Sequence, residues 1–435
     1  PYSLPKSARI RAAKPSGSIA GASSPIYIVI NIIVHFPGKG NAVDFSFYTA
    51  DSGSNRPAAL AANAGKRAVQ NFTGLGNYSR YVADILCHFY PENDYVLYAP
   101  KKRENKRMNL LTGQYRQLTL AYPATSFWKK LSSLWRVWGI TSQLEKEGIE
   151  LFHGLSNELP LNIHKSRIKS IVTIHDLIFL RYPQYYQSID RKIYTYKFRK
   201  ACENADKIIA ISECTKRDII RYFNIPDDKI EVVYQGCDVS FTHPVTEEKK
   251  EEVRKKYQLP DHYILNVGSI EERKNILAAV QALPMLPQHI HIVIVGRRTG
   301  YTEKVEQFIK DNGLGERVHI ISNVPFNDLP AFYQSAEIFV YPSRFEGFGI
   351  PIIEALYSGI PVVAATGSCL EEAGGPDSIY VNPDDITGLA DAFKQIYSNS
   401  DKRKNMVEKG REFAKRFSEK QQSEEIINIY KKLIR

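Results

Sequence analysis

The sequence predicts an α/β protein built of two doubly wound, Rossmann-like domains that face each other across a cleft. Three observations predict it. The chain has 435 residues, more than one ordinary core holds. Short, continuous runs rich in Val and Ile alternate with helical patterns, as in a parallel sheet covered on both faces. The alternation occurs twice, with a charged stretch, SFTHPVTEEKKEEVRKKYQL (Ser240–Leu259), between the two series.

Taken in order, residues 1–25 are rich in Ser, Ala, Gly and Pro and read as a flexible leader. Residues 26–245 form the first domain. IYIVINIIVHF (Ile26–Phe36) is a β-branched run broken by Asn31 and His35; it is too short to span a membrane and fits a buried strand. A basic stretch before it allows a signal-peptide reading, but no small-residue cleavage pattern follows closely. VDFSFYTA is a further strand candidate. TGLGN then leads into SRYVADILCHFY, an amphipathic helix. YVLYAP, LFHGL, SIVTIHDL, KIIAIS and IEVVYQG are strand-type runs, with RKIYTYKFRKACENA and ECTKRDIIRYFN as helices between them. Residues 246–410 form the second domain, whose strands are YILNVGS, HIVIVG, VHIIS, EIFVYPS, PVVAA and SIYVN. Residues 411–435 are expected to return as a helix to the first domain. In such sheets ligands bind beyond the carboxyl ends of the strands, in the cleft.

Charge is unevenly divided. Residues 1–200 hold 28 basic and 12 acidic residues, a surplus of 16; the remainder holds 30 and 35, a deficit of 5. KKRENKR (Lys101–Arg107), Lys129–Lys130 and RKIYTYKFRK (Arg191–Lys200) carry much of the surplus. Solvated helix faces explain such runs, as does contact with an anionic membrane or a phosphorylated substrate. No nucleic-acid motif accompanies them. The five cysteines are scattered, without a C-x-x-C pair, which suits free thiols in a reducing cytosol rather than a disulfide frame or zinc site.

Three strand-end segments carry the chemistry. In SRFEGFGIPIIEAL, Glu346 and Glu354 stand eight positions apart around a glycine turn. Gly347 and Gly349 let backbone approach a ligand, and Pro351 fits a helix start. The N–H groups near Gly349 and Ile350 then offer an anion site. Each carboxylate can accept two hydroxyl hydrogens, as a sugar diol presents them. Ribose, diphosphate and sugar share that layout. In NVGSIEERKN, Arg273 and Lys274 stand at a helix start, where the helix dipole disfavours cations, so a bound anion is expected between them. In IVTIHDL, His175 and Asp176 lie at a strand's carboxyl end.

In this order the segments resemble the family-4 glycosyltransferases, retaining nucleotide-sugar enzymes of the GT-B fold. EGFGIPIIE matches the family's E-x7-E motif, VGSIEERKN its phosphate-binding segment, TGLGNYSRY its glycine loop and VTIHDL its His-bearing strand end. IIAISECTKRDI and PVVAATGSCLEEAGG also read as family segments. The likeness runs from about Lys66 to Arg435 and looks nearest to bacterial mannosyltransferase-like enzymes of surface polysaccharide assembly. It implies transfer of a hexose, of mannose or glucose type, from a nucleotide-diphosphate sugar to a saccharide or lipid-linked acceptor, with retention.

It also implies residue roles. Arg273 and Lys274 neutralise the donor diphosphate and Glu354 holds the ribose. Glu346 contacts the sugar near the reacting carbon. Phe348, Gly349 and Ile350 give backbone N–H groups, and Gly268 belongs to the donor site. Gly74 and Gly76 let the first domain close over the phosphate. His175 contacts the donor sugar or positions the acceptor. The leaving phosphate takes the acceptor proton in a front-face displacement, the older option being Glu346 as nucleophile. No cofactor and no metal are expected: the chain has no Asp-x-Asp, and Arg, Lys and a helix end replace the ion. The expected setting is cytoplasmic, with peripheral contact at an anionic membrane and no nucleic acid.

One departure stands out. The family opens with a strand leading directly into the glycine loop, whereas here a long stretch precedes Lys66. VDFSFYTA, IYIVINIIVHF, or neither if the N-terminal region is foreign to the domain, supplies that strand. Two other classes fit the residues less well. A dinucleotide-dependent oxidoreductase is disfavoured because VGSIEE and VGRRTG lack G-x-G-x-x-G. A nonenzymatic basic protein binding membrane or nucleic acid accounts for the charged half but not for the acid pair or Arg273–Lys274.

Overall fold

A computed structural model of the protein describes residues 27–31, 74–102 and 106–434. Two parallel sheets organise them. The first contains β1 (Tyr27–Asn31), β2 (Asp94–Tyr98), β3 (Leu118–Ala121), β4 (Leu151–Gly154), β5 (Lys169–Ile174), β6 (Lys207–Ala210) and β7 (Ile230–Val232), in the order β3-β2-β1-β4-β5-β6-β7. The second contains β8 (Tyr263–Val267), β9 (His291–Val295), β10 (Val318–Ile321), β11 (Ile338–Tyr341), β12 (Val362–Ala365) and β13 (Ile379–Val381), in the order β10-β9-β8-β11-β12-β13. Both are doubly wound, and in each the strand order reverses once, between β1 and β4 and between β8 and β11. Those reversals open the crevices where ligands sit.

The strand for the opening slot comes from IYIVINIIVHF. Tyr27–Asn31 lies at the centre of the first sheet, with Ile28 opposite Leu151 and Tyr27 opposite Asp94. VDFSFYTA and the leader 1–25 lie outside the described residues. Strand β3 was not expected from the sequence. It is a four-residue edge strand whose Thr119 is exposed, so it lacks the continuous apolar run that marks its neighbours. Strands further into the sheet are covered on both faces: Ile171, Val172 and Ile174 of β5, and Ile208, Ile209 and Ala210 of β6, are all buried.

TGLGN behaves differently from a free loop. The helix Gly74–Phe89 starts at Gly74, so both glycines sit in its first turn. Its apolar face, with Val82, Ile85 and Leu86, packs on the sheet and on the last helix, Glu419–Ile434. The return to the first domain is therefore made by Ile426, Ile427, Ile429 and Tyr430, which join its core. The Tyr430 hydroxyl meets His153 Nδ1 at 2.6 Å, and His153 Nε2 meets Thr173 Oγ1 at 2.8 Å.

In the second domain, Thr246 caps the opening helix Glu247–Tyr257, its side chain accepting from Lys249 N–H. The helix Ser400–Ala414 packs against Ile350–Ser358 and spans the expected division at 410/411. The crossing back to the first domain occurs at Lys415–Ser418. No helix among the described residues is long and apolar enough to cross a membrane, and all five cysteines are buried free thiols.

Ile427 is fully enclosed at the seam between the last helix and the first domain. Ile427→Ala is expected to lower unfolding stability by about 2–5 kcal/mol. Urea denaturation checks this, and a loss under about 0.5 kcal/mol would show that the returning helix is not part of that core.

Candidate active site

The loop after β8 and the loop after β11 meet at the strand-order reversal of the second sheet. Backbone joins them first: Arg344 N–H donates to the Arg273 carbonyl at 2.9 Å. Their side chains then converge. Glu346 Oε2 lies 2.9 Å from an Arg273 guanidinium nitrogen, and Oε1 lies 3.5 Å from Lys274 Nζ. Ser343 donates to Glu346 at 2.8 Å and Tyr341 at 3.1 Å, while Lys274 donates to the Tyr341 hydroxyl at 3.1 Å. Glu271 reaches Arg273 only at 3.7 Å from a more exposed position.

Burial alone would raise the Glu346 carboxyl, but Lys274 and Arg273 outweigh it and hold it at about 2. Both cations are correspondingly held charged: burial opposes their charge and Glu346 more than restores it. The sequence placed Glu346 on sugar hydroxyls and the two cations on phosphate. In the structure the three satisfy one another.

Glu354 stands one turn into Ile350–Ser358, and Tyr333 donates to it at 2.6 Å. No cation is paired with it among the described residues. Burial therefore pushes its carboxyl up to about 7. Gly349, with φ +143°, is the residue before that helix; Ile350 is its first position and Pro351 its second. Phe348 is buried, stacking on Tyr234 at 5.3 Å, so only its backbone faces the turn. The Cys369 thiol donates to the Glu346 and Phe348 carbonyls at 3.0 and 2.8 Å, fixing the loop from behind. Gly268 follows β8 and lies against the Lys274 side chain.

Gly347 has a structural reason of its own. A Cβ there would stand 2.3 Å from the His175 carbonyl oxygen. The E-x7-E loop thus touches the first domain at the carboxyl end of β5. Ser212 donates to the Gly347 carbonyl at 2.8 Å, and Thr215 donates to the His175 carbonyl at 3.3 Å. Nearby, the Glu372 carboxylate accepts the N–H groups of Glu213 and Cys214, at 2.7 and 2.9 Å, capping the helix Glu213–Phe223 from the opposite domain. Tyr182 packs on Phe345 at 5.5 Å, and the Arg181 guanidinium lies 4.7 Å over the same ring.

His175 is buried, and both its ring nitrogens are engaged within the first domain. Nε2 lies 2.8 Å from the Leu155 carbonyl, so it carries the hydrogen, and Nδ1 accepts from Gln235 at 3.2 Å. Burial lowers its pKa to about 4, so the ring is neutral at physiological pH. Tyr78, on the helix that begins with Gly74 and Gly76, meets the ring edge-on at 4.7 Å. The structure thus brings Arg273, Lys274 and Glu346 into direct contact and sets His175 behind Gly347. Glu354 stands apart on Tyr333. Ser212, Thr215 and Glu372 were not singled out from the sequence, because their roles exist across the domain seam, and Cys369 was not, because it meets the Glu346 and Phe348 carbonyls only in the fold. Among the described residues, no group of three His, Cys, Asp or Glu side chains could hold a metal.

Two facing Rossmann-like domains, with a charged centre at a strand-order reversal beside their seam, give the protein the GT-B fold of glycosyltransferases. Residues 72–241 match "Glycosyltransferase Family 4" and residues 247–413 match "Glycosyl transferases group 1". The chain is 31% identical over 289 residues to O-antigen chain mannosyltransferase B of Escherichia coli, covering 65% of this chain and 74% of that one. It is 29% identical to O-antigen chain mannosyltransferase RfbU of Salmonella typhimurium over 52% of this chain and 60% of that one. Among solved structures, a glycosyltransferase from Rickettsia africae superposes with a TM-score of 0.68 at 18% identity, covering 94% of this chain and 99% of that one. Anabaena Alr3699/HepE in complex with UDP gives 0.68 at 15%, covering 94% and 100%. The chain belongs to the family-4 glycosyltransferases.

Two measurements test this geometry. Gly347→Ala forces the loop off the His175 carbonyl and is expected to lower transfer activity by at least about 100-fold, since misplacement near 1 Å costs that much. Activity within threefold of the parent would show that the contact does not position the loop. Glu354 keeps a proton in the folded state up to about pH 7 that the unfolded chain, near its ordinary 4.5, has already released. Stability is therefore expected to fall as pH rises from about 4.5 to 7. Glu354→Gln should flatten that limb of the pH–melting profile, and an unchanged profile counts against the buried-acid assignment.

Proposed function

We propose that the protein transfers a hexose, mannose or glucose in type, from a nucleotide-diphosphate sugar to a saccharide or lipid-linked acceptor, with retention of anomeric configuration and without a metal ion. We place this reaction in surface polysaccharide synthesis at the cytoplasmic side of the membrane. The observation that carries the reading is the meeting of Arg273, Lys274 and Glu346 at the reversal between β8 and β11. Arg273 and Lys274 are two enclosed cations in a low-dielectric site, with Glu346 between them and Asp176 and Glu271 close by, and a diphosphate would compete with these acids for them. The mannosyltransferase names of the O-antigen relatives support mannose as the transferred sugar. The UDP complex of the Anabaena protein supports a nucleotide diphosphate as the ligand of such a crevice.

In this reading the diphosphate lies against Arg273, Lys274 and the first turn of Ile350–Ser358. The cations act most strongly as the sugar–phosphate bond lengthens and charge collects on the leaving oxygen. The bond from the anomeric carbon to the phosphate oxygen breaks, the bond to the acceptor oxygen forms on the same face, and the acceptor proton passes to the departing phosphate. Glu346, held at about 2 by two cations and accepting two further hydroxyl hydrogen bonds, is a weak nucleophile. It serves instead to orient the cations and the sugar. His175, with both nitrogens occupied, positions the loop through its carbonyl. Glu354 takes the ribose hydroxyls as a carboxylate, replacing the Tyr333 contact.

A thermal-shift panel of GDP-, UDP- and ADP-sugars identifies the donor, since the tightest ligand raises the melting temperature most. Transfer with that donor is expected to proceed in EDTA and to fall by at least about 1,000-fold in Glu346→Ala, a loss on the scale of one transition-state electrostatic contact. Full activity in that variant, or an inverted product by NMR, overturns the reading. Nucleotide affinity should rise between pH 6 and 8 as Glu354 ionises, and Glu354→Gln should abolish the rise.

A further inference from the structure

The basic run Arg191–Lys200 has no part in the centre described above. It lies in the helix Ser188–Asn204, which follows the short helix Ile178–Arg181. Between them is an open cavity of about 510 Å³, a volume in the range of small-molecule sites. Phe179 and Leu180 form apolar wall, while Arg191, Lys192 and Arg199 line the opposite side; no carboxylate lines it. Tyr196, 56% exposed, also lines it.

The cations of this helix are not equivalent. Those facing away are matched: Lys197 pairs with Glu158 at 3.3 Å and Lys200 with Glu203 at 2.6 Å. Among the described residues, no ion pair is formed by Arg191, Lys192 or Arg199. Arg199 donates only to the Tyr222 carbonyl, at 3.2 Å. Arg191 Nε is buried without a hydrogen-bond partner. Three cations around one cavity, without an acidic partner among the described residues, suit an anionic ligand. The apolar wall and the exposed Tyr196 suit a ligand that carries a hydrocarbon part as well.

We propose that this cavity binds the phosphate group of a phosphorylated amphiphile, with Arg191, Lys192 and Arg199 on the phosphate and Phe179, Leu180 and Tyr196 against the chain. The inference rests on the proposed function for its meaning, since the amphiphile would be the carrier of the acceptor saccharide. The cavity backs onto the segment whose Arg181 and Tyr182 touch Phe345, beside Glu346, so a ligand held there lies on the first-domain side of the transfer site.

Calorimetric titration of the full chain with decyl phosphate below its micelle concentration tests it, with inorganic phosphate and glucose 6-phosphate as comparison ligands. Decyl phosphate is expected to bind at least ten-fold more tightly than either. Arg191→Gln should weaken it at least ten-fold and the exposed Lys192→Gln at least three-fold. Lys200→Gln, which removes the same charge from the same helix outside the cavity, should leave it within two-fold. Equal weakening by Lys200→Gln, no weakening by Arg191→Gln and Lys192→Gln, or equal affinity for glucose 6-phosphate overturns the proposal. Should Arg191→Gln fail to fold, Lys192→Gln alone decides. The melting-temperature rise with nucleotide sugar, measured on the same samples, separates the two readings. A retained rise without decyl phosphate binding sinks this site alone, and a lost rise with binding retained sinks the donor assignment alone.

Discussion

Much of the second domain's site geometry follows from one enclosed carboxylate. Glu346 receives Arg273, Lys274, Ser343 and Tyr341. Breaking a buried pair by removing one partner costs about 3–5 kcal/mol, because the remaining charge stays desolvated. The loops after β8 and β11 are therefore tied by charge as well as by the Arg344–Arg273 backbone bond. Asp176 of the first domain also acts on Arg273 and Glu346. Two cations share one well-enclosed acid, and Glu271 lies at the rim with 35% of its side chain exposed. A site of this kind is pre-formed, with its cations already in place for an anion that can compete with the acids around them.

The same loop is the point where the domains touch. Ser212, Thr215 and the His175 carbonyl meet Gly347 from the first domain, while Cys369 holds the loop from the second. The Glu372 carboxylate at the start of Glu213–Phe223 adds an electrostatic contact between the halves. Only a residue without a side chain lets the loop approach His175 this closely. Domain closure and loop position are thus one variable: separating the halves frees Gly347, and moving Gly347 shifts Glu346 and the cations it holds. A substrate that spans both domains would sense both through a single contact.

What could be read from the sequence follows the same division between local and long-range causes. Strands such as HIVIV and IFVY declare themselves because they are buried on both faces. Edge strand β3, with four residues and an exposed Thr119, does not. The E-x7-E spacing and Arg273–Lys274 were legible because their chemistry lies in adjacent residues. Their mutual pairing was not, because it joins positions some 70 residues apart in sequence. His175 shows the limit well. Its place at a strand end was evident, but Leu155 and Gln235, which occupy its nitrogens, come from the ends of β4 and β7. Likewise, two glycines before SRYVADILCHFY suggested a loop, yet the helix extends back through both.

The two acids of the motif, alike in sequence, are driven in opposite directions by their surroundings. Both are removed from water, which alone favours the neutral acid. Glu346 has two cations within 3.5 Å and stays ionised at any physiological pH. Glu354 has only the Tyr333 hydroxyl and sits near the midpoint of its titration. A permanently charged acid can hold cations in fixed positions but has little electron density left for bond formation. A poised acid gains a great deal when hydroxyl donors arrive, because they satisfy the carboxylate that burial penalises. Under the proposed function, hydroxyl recognition is assigned to Glu354 and electrostatic alignment to Glu346. On this division, a displacement in which the leaving phosphate accepts the proton needs no nucleophile from the protein at all.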